Sequence, residues 1–178
     1  MKKSPVVINL STSRMVADVA AEIGQKIYYS KVGEANVVSL MHKRQSIIGG
    51  EGNGGVIYGA LHFGRDSLVA AGLVLTLLAK SKITMSELAG TLSRYYTIKG
   101  KASLPKNFEK KLGAFEKHIL RQKPEAKFDK RDGLKVDFPE GWVLIRKSNT
   151  EPIYRIVVES NNLVLTQRIM KDTQALFE

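Results

Sequence analysis

Cysteine is missing from the chain altogether, so there is no disulfide framework and no thiol chemistry. That absence fits a reducing compartment. Long apolar runs are missing too. The longest, Leu68 to Ala79, is twelve residues and contains Gly72 and Thr76. A bilayer span needs about 20 apolar residues, so this segment reads as a helix buried on several sides, and no membrane partner is expected. Met1-Lys2-Lys3 leads into a short strand-like stretch instead of the long apolar core of a signal peptide, which points to a cytoplasmic protein. Acidic residues are scarce beside basic ones, 17 against 28, for a formal charge of +11. Such an excess calls for anionic company, either nucleic acid or phosphorylated small molecules. The basic residues are scattered in singles and pairs. No basic run and no basic helix interleaved with aromatics occurs, which argues against nucleic acid.

What is present is enough for a real core: 178 residues, 43% of them apolar. Three short apolar runs, Val6-Val7-Ile8, Ile27-Tyr28-Tyr29 and Ile47-Ile48, recur at about twenty-residue spacing. Between the first two, Met15, Val16, Val19, Ala20 and Ile23 share a helix face, with Ser13 as N-cap and Gly24 at the end. Between the second and third, Ala35, Val37, Val38 and Met41 mark another amphipathic helix. The pattern is a βαβαβ unit with a parallel sheet, and ligands collect at the carboxyl ends of such strands. The loops of interest are therefore Ser11 to Arg14, Lys31 to Asn36, and the one after Ile48.

That last loop, Gly49-Gly50-Glu51-Gly52-Asn53-Gly54-Gly55, has five glycines in seven residues. So much glycine implies positive φ or close backbone approach. It lacks the Gly-Lys-Ser/Thr of a phosphate cradle, and its one acid, Glu51, is better suited to accepting hydrogen bonds from vicinal sugar hydroxyls. A flexible loop with a solvated glutamate is the alternative.

Further on, Thr84-Met85-Ser86-Glu87 is a capping box. The pattern changes near Leu92, taken as the boundary between residues 1–92 and 93–178. In the second part, Tyr95 to Ile98 reads as a strand that loosens at Lys99-Gly100-Lys101. Phe108, Leu112, Phe115 and Ile119 form one helix stripe, and Asp132-Gly133 turns into the alternating Leu134 to Phe138. Trp142 to Ile145 and Ile153 to Val158 are two more strands, and a last helix ends near Phe177. The expectation is an α/β domain followed by a smaller α+β domain with a mostly antiparallel four-strand sheet.

The turn between those last two strands is the densest chemistry in the chain: Arg146-Lys147-Ser148-Asn149-Thr150-Glu151-Pro152, with Arg155 just beyond. Backbone N–H groups, hydroxyls and guanidinium groups converge there, as an oxyanion requires. Strand alternation turns Lys147 away from the others. On residue types alone the turn is equally a polar hairpin whose arginines pair with carboxylates elsewhere.

Arg-Lys-Ser-Asn-Thr-Glu-Pro resembles the phosphate-binding loop of the α-D-phosphohexomutases, whose pattern is Arg-x-Ser-(Gly/Asn)-Thr-x-Pro. Upstream, Gly-Glu-Gly-Asn-Gly resembles their sugar-binding loop, usually Gly-Glu-x-Ser-Gly. The likeness runs from Val6 to the C-terminal helix, and covers the third and fourth of four domains. It implies an enzyme interconverting hexose 1-phosphate and 6-phosphate through a bisphosphate. Glu51 and Asn53 would bind sugar; Arg146, Ser148, Asn149, Thr150 and Arg155 would bind the non-reacting phosphate. Arg14 and His62 are possible accessory residues; His62 has a purely structural alternative, and Glu34 stands where some relatives have histidine. The phosphoserine loop and the Mg²⁺ loop of the family lie in its first two domains. Neither motif is found here, nor is the helix expected before Val6, so the resemblance implies a C-terminal portion, inactive alone, with no metal of its own and with the N-terminal domains as partners. The glycine-loop variant resembles phosphoglucosamine mutases or archaeal-type phosphoglucomutases most, which leaves glucosamine, glucose or mannose phosphate as substrate. A non-catalytic phosphosugar-binding protein, or a basic nucleic-acid-binding α/β protein, is the alternative.

Overall fold

The structure, a computed structural model, describes residues 4–177. Met1 to Lys3, on which the absence of a targeting segment was read, lie outside the described residues. The chain divides into two compact units, Met1–Arg94 and Tyr95–Glu178.

In the first unit, strands β1 (Val6–Asn9), β2 (Ile27–Ser30) and β3 (Ile48–Gly50) alternate with helices α1 (Arg14–Glu22) and α2 (Glu34–Arg44). The sheet order is β2-β1-β3-β4, with the first three parallel and β4 (Val56–Tyr58) antiparallel to β3. The βαβαβ expectation holds, and β4 is an addition. Three apolar residues after a glycine-rich loop carried too little pattern to be read as a strand, but a hairpin partner needs only backbone. Val7, Val37, Met41 and Ile57 form the core between sheet and α2. Ser13 caps α1, its side chain accepting from the Met15 N–H.

The expectation for Leu68 to Ala79 is corrected. It lies in α3 (Ser67–Ser81), none of whose residues is buried; Leu68 is 82% exposed and Leu75 65%. The segment is apolar all round, but β4 is the element it chiefly touches, and nothing among the described residues covers its other faces. Short helix α4 (Met85–Gly90) follows, opened by the Thr84–Glu87 capping box.

The second unit is a five-stranded antiparallel sheet in the order β5-β9-β8-β7-β6, one strand more than the four expected. The extra strand, β6 (Lys127–Asp129), is short and mostly polar, so only its pairing with β7 (Leu134–Phe138) reveals it. Strand β5 (Tyr96–Ser103) does not loosen at Gly100: its ladder with β9 (Ile153–Ser160) continues to Ser103, because backbone pairing is indifferent to a glycine between lysines. Strand β8 (Gly141–Lys147) lies between β7 and β9. Helices α5 (Phe108–Gln122) and α6 (Leu163–Phe177) cover one face; Phe108, Phe115, Met170 and Phe177 pack on Val136, Val143, Ile145, Ile156 and Val158. At about 25 cal/mol per Å² of apolar surface, this cluster is the main source of the unit's stability.

On the opposite face, Trp142 donates its indole N–H to the buried Glu159 (2.8 Å), Thr97 donates to the same carboxylate (2.9 Å), and Lys135 lies 4.3 Å over the Trp142 ring. A buried carboxylate is costly unless it is satisfied; among the described residues no buried side-chain polar atom lacks a partner.

Candidate functional site: two loop-built sites

In the first unit, the loops leaving the carboxyl ends of β1, β2 and β3 meet at Glu51. Glu51 is the first residue of the β3–β4 hairpin loop, closed by its N–H to the Gly55 carbonyl (3.0 Å). Its side chain is only 7% exposed. One carboxylate oxygen, Oε1, accepts from the Asn9 side-chain amide (2.8 Å) and from the Gly33 N–H (3.0 Å). The other, Oε2, lies 3.3 Å from the Arg65 guanidinium. A carboxylate has about four acceptor sites. Two are used by hydrogen bonds, both on Oε1, and Oε2 faces the Arg65 guanidinium as an ion pair. Asn9 is itself fixed, its carbonyl oxygen taking the Ser11 N–H and the Ser11 and Thr12 hydroxyls at 2.9–3.0 Å. Sheet order places this convergence between β1 and β3, where the connections diverge, the usual ligand position in such sheets.

The glycines of the loop serve close approach more than unusual torsions. At Gly52 a Cβ would stand 2.5 Å from the Ser11 carbonyl, so only glycine lets the loop after β3 lie on the loop after β1.

Arg65 joins Glu51 to Glu34, donating its N–H (2.9 Å) and Nε (2.8 Å) to the two oxygens of that carboxylate. These bonds hold the Glu34 carboxyl below its ordinary range; the Arg65 backbone N–H is the first cause and its side chain the second. Glu34 also sits in the first turn of α2, where the helix dipole favours an anion. A cavity of about 410 Å³, lined by Glu34, Asn53, Gly54, Gly55, Arg65 and Asp66, opens beside this network. Asn53 lies in its rim with its carbonyl oxygen turned to the Gly55 N–H (3.2 Å).

The accessory candidates are not among the residues bonded to Glu51. Arg14 is the first residue of α1. His62 bonds Asp66 (3.0 Å), whose side chain caps α3. The Val69 N–H and then His62 hold the Asp66 carboxyl below its ordinary range. The residues that hold Glu51 are Asn9, Gly33 and Arg65, none of them a sequence candidate. Position alone could have flagged Asn9, the last residue of a strand whose carboxyl end was already suspect.

In the second unit, Arg146 ends the buried part of β8. Its side chain is 8% exposed, while Lys147 turns out, as the alternation predicts. Nε donates to Asp132 (3.0 Å), and one terminal nitrogen to the Asn149 carbonyl oxygen (3.2 Å). Asp132 reaches Arg146 because Gly133 follows it: φ is +72°, and a Cβ would collide with the Ile145 carbonyl and the Arg146 backbone. Arg155 stands opposite Arg146 in the ladder and bonds Glu151 (2.6 Å). The Ser148 N–H bonds the Ile153 carbonyl (2.9 Å), leaving its hydroxyl and the exposed Asn149 and Thr150 at the tip. Both arginines thus pair with carboxylates. Two arginines directly opposite on neighbouring strands repel, and Asp132 and Glu151 temper that cost.

Comparison with known proteins gives one answer. Residues 1–95 match the family profile described as phosphoglucomutase/phosphomannomutase, alpha/beta/alpha domain III, and residues 97–175 match its C-terminal domain. A phosphoglucomutase/phosphomannomutase of Thermococcus kodakarensis is 36% identical over 157 residues, 88% of this chain and 34% of that protein. A probable phosphoglucosamine mutase of Methanosarcina barkeri is 34% identical over 163 residues, 92% of this chain and 36% of the relative. This chain thus spans about a third of the length of such relatives. Among solved structures, a phosphoglucomutase/phosphomannomutase family protein of Burkholderia thailandensis superposes with a TM-score of 0.75 at 23% identity, covering 98% of this chain and 37% of that one. At that identity the likeness speaks for the fold alone.

Proposed function

Because the chain belongs to the phosphoglucomutase/phosphomannomutase family, with that family's third and C-terminal domains, we propose that it supplies the substrate-holding half of a hexose-phosphate mutase. In this reading Glu51 and Asn53 hold the sugar. Arg146, Ser148, Asn149, Thr150 and Arg155 hold the phosphate that is not reacting.

The observation that carries the reading is the state of Glu51. A carboxylate 7% exposed, with Oε1 pinned by two hydrogen bonds and Oε2 held only by an ion pair, is preorganised to take a hydroxyl. Its position is set by other groups, so the sugar meets little reorganisation cost. Across the guanidinium of Arg146, Asp132 fixes the Nε edge, and one terminal nitrogen reaches the Asn149 side chain in the loop. A phosphate arriving there competes with Asn149 for one N–H and gains a bidentate partner. Binding energy from a remote phosphate can be spent on positioning the reacting end, which is how such an anchor raises rate.

The Mg²⁺ that the family implies is not one these residues are fit to hold: among the described residues no three His, Cys, Asp or Glu side chains gather around a common point. No step is assigned to it. Phosphoryl transfer and metal binding fall, in this proposal, to the parts of the relatives that this chain does not match. The bare apolar surface of α3 supports the same view, since leucines on every side of a helix call for a cover. The substrates we propose are glucosamine, glucose or mannose phosphates; several relatives bear the name phosphoglucosamine mutase. Calorimetry with glucosamine 6-phosphate tests the assignment. Arg146→Ala should bind about 10-fold to 100-fold more weakly than wild type; equal binding by both would end it.

A further inference from the structure

We propose that Lys101 is a third phosphate-contacting cation of the second unit, alongside Arg146 and Arg155. The inference rests on the phosphate-anchor reading above and adds to it a residue that no loop motif contains.

The ladder puts the three side chains in one row. Lys101 pairs with Arg155 across β5 and β9, and Arg155 pairs with Arg146 across β9 and β8. All three point to the same face. Ile145, Tyr154 and Ile156 belong to the helix-covered core, so their neighbours Arg146 and Arg155 turn the other way. Gly100 lies opposite Ile156 and beneath Met170 and Gln174 of α6, so Lys101 turns away from the helices as well. The row ends beside the anion loop: Ser103 pairs with Ile153, and the Leu104 N–H bonds the Pro152 carbonyl (3.0 Å).

Directly opposed like charges destabilise a sheet, so a row of three cations needs a reason. Two have local counter-ions, Asp132 for Arg146 and Glu151 for Arg155. Lys101 is exposed and has no ion pair among the described residues. The uncompensated charge of the row is therefore the one on Lys101. A phosphate monoester at neutral pH carries close to two negative charges. The Arg146 fork sets its orientation, and a mobile point charge on a four-carbon stem supplies the remaining neutralisation.

The bland explanation is edge protection. Strand β5 is the outer strand of the sheet, and lysines on an edge discourage pairing with other chains. That explanation makes Lys99 and Lys101 equivalent, since both lie on β5 and face the same side. The phosphate reading separates them: Lys99 is one row away, opposite Val157.

The test uses calorimetry of this chain with glucose 6-phosphate and with inorganic phosphate. Lys101→Gln should weaken both by about threefold to tenfold, the range for an exposed charge-assisted contact. Lys99→Gln should leave both unchanged, and Lys101→Arg should restore affinity. Equal losses in the two Gln variants would mean a general field of the face and would overturn the proposal. No loss in Lys101→Gln, while Arg146→Ala weakens binding, would make Lys101 an edge guard and leave the anchor standing. If Arg146→Ala binds as wild type does, the anchor reading itself fails and the proposal with it.

Discussion

The two units fix their charged side chains by opposite means. In the first, an acid is buried among groups from three separate places: Asn9 at the end of β1, Gly33 after β2 and Arg65 after β4. In the second, a base is fixed by strand register, with a carboxylate from one neighbouring turn and an amide from its own loop. The acid's Oε1 takes two hydrogen bonds, and its Oε2 meets the Arg65 guanidinium in an ion pair. The base's surroundings are half provided by groups an anion can displace. A hydroxyl is a neutral partner that needs a prepared acceptor, whereas a phosphate brings enough charge to compete for its own site.

This contrast can be broken most severely at Arg146. Arg146→Ala should lower affinity for hexose phosphate and for inorganic phosphate alike by about 10-fold to 100-fold, the loss of a charged hydrogen-bond pair. Calorimetry reads it. Glu51→Gln separates the sites: affinity for a hexose phosphate should fall by about 10-fold, while that for inorganic phosphate stays as it was. A parallel fall in both would show that the acid does not address the sugar. Asn9→Ala should destabilise the first unit by about 1–3 kcal/mol in a urea melt, because Glu51 loses its side-chain donor and two hydroxyls lose their acceptor.

A pH titration sharpens the account of Arg65. Glu34 has its carboxyl pKa depressed by Arg65, so the stabilisation this gives is complete above the ordinary glutamate value and is lost as pH falls through the lower, folded value. In carbon-detected NMR the Glu34 side chain should titrate below 4.5, and Arg65→Met should raise the midpoint only part of the way back, because the backbone N–H at that position stays. A wild-type midpoint above 4.5 would show that the latch does not form. The smallest effect is expected at α3. Leu75 is 65% exposed, so Leu75→Gln should change the unfolding free energy by no more than about 0.5 kcal/mol, while reducing concentration-dependent association in sedimentation. A large destabilisation would mean that the helix is covered.

How much of this could be read from residues alone differs between the units. The arginine turn stood out because its residues are local: Arg146 to Thr150 are contiguous, and period-two alternation separates Arg146 from Lys147. Asp132 was not, since its approach depends on how Gly133 bends one hairpin onto another strand. The acid site was legible only in its first residue. Glu51 stood out among glycines, but the donors that give it meaning are separated from it by 42 residues at Asn9 and 18 at Gly33. Strand β6 and the continuation of β5 escaped because pairing is decided by the partner strand. The exposure of α3 escaped for the reverse reason: its composition asks for burial, and composition cannot say what supplies the cover.

The account stands most directly on a nitrogen–proton NMR titration of the labelled chain with glucosamine 6-phosphate, compared with inorganic phosphate. It predicts that both ligands shift the amides of Arg146 to Thr150, and that only the sugar phosphate also shifts those of Gly33 and Glu51 to Asn53. Shifts at neither loop, or identical patterns from the two ligands, would contradict it.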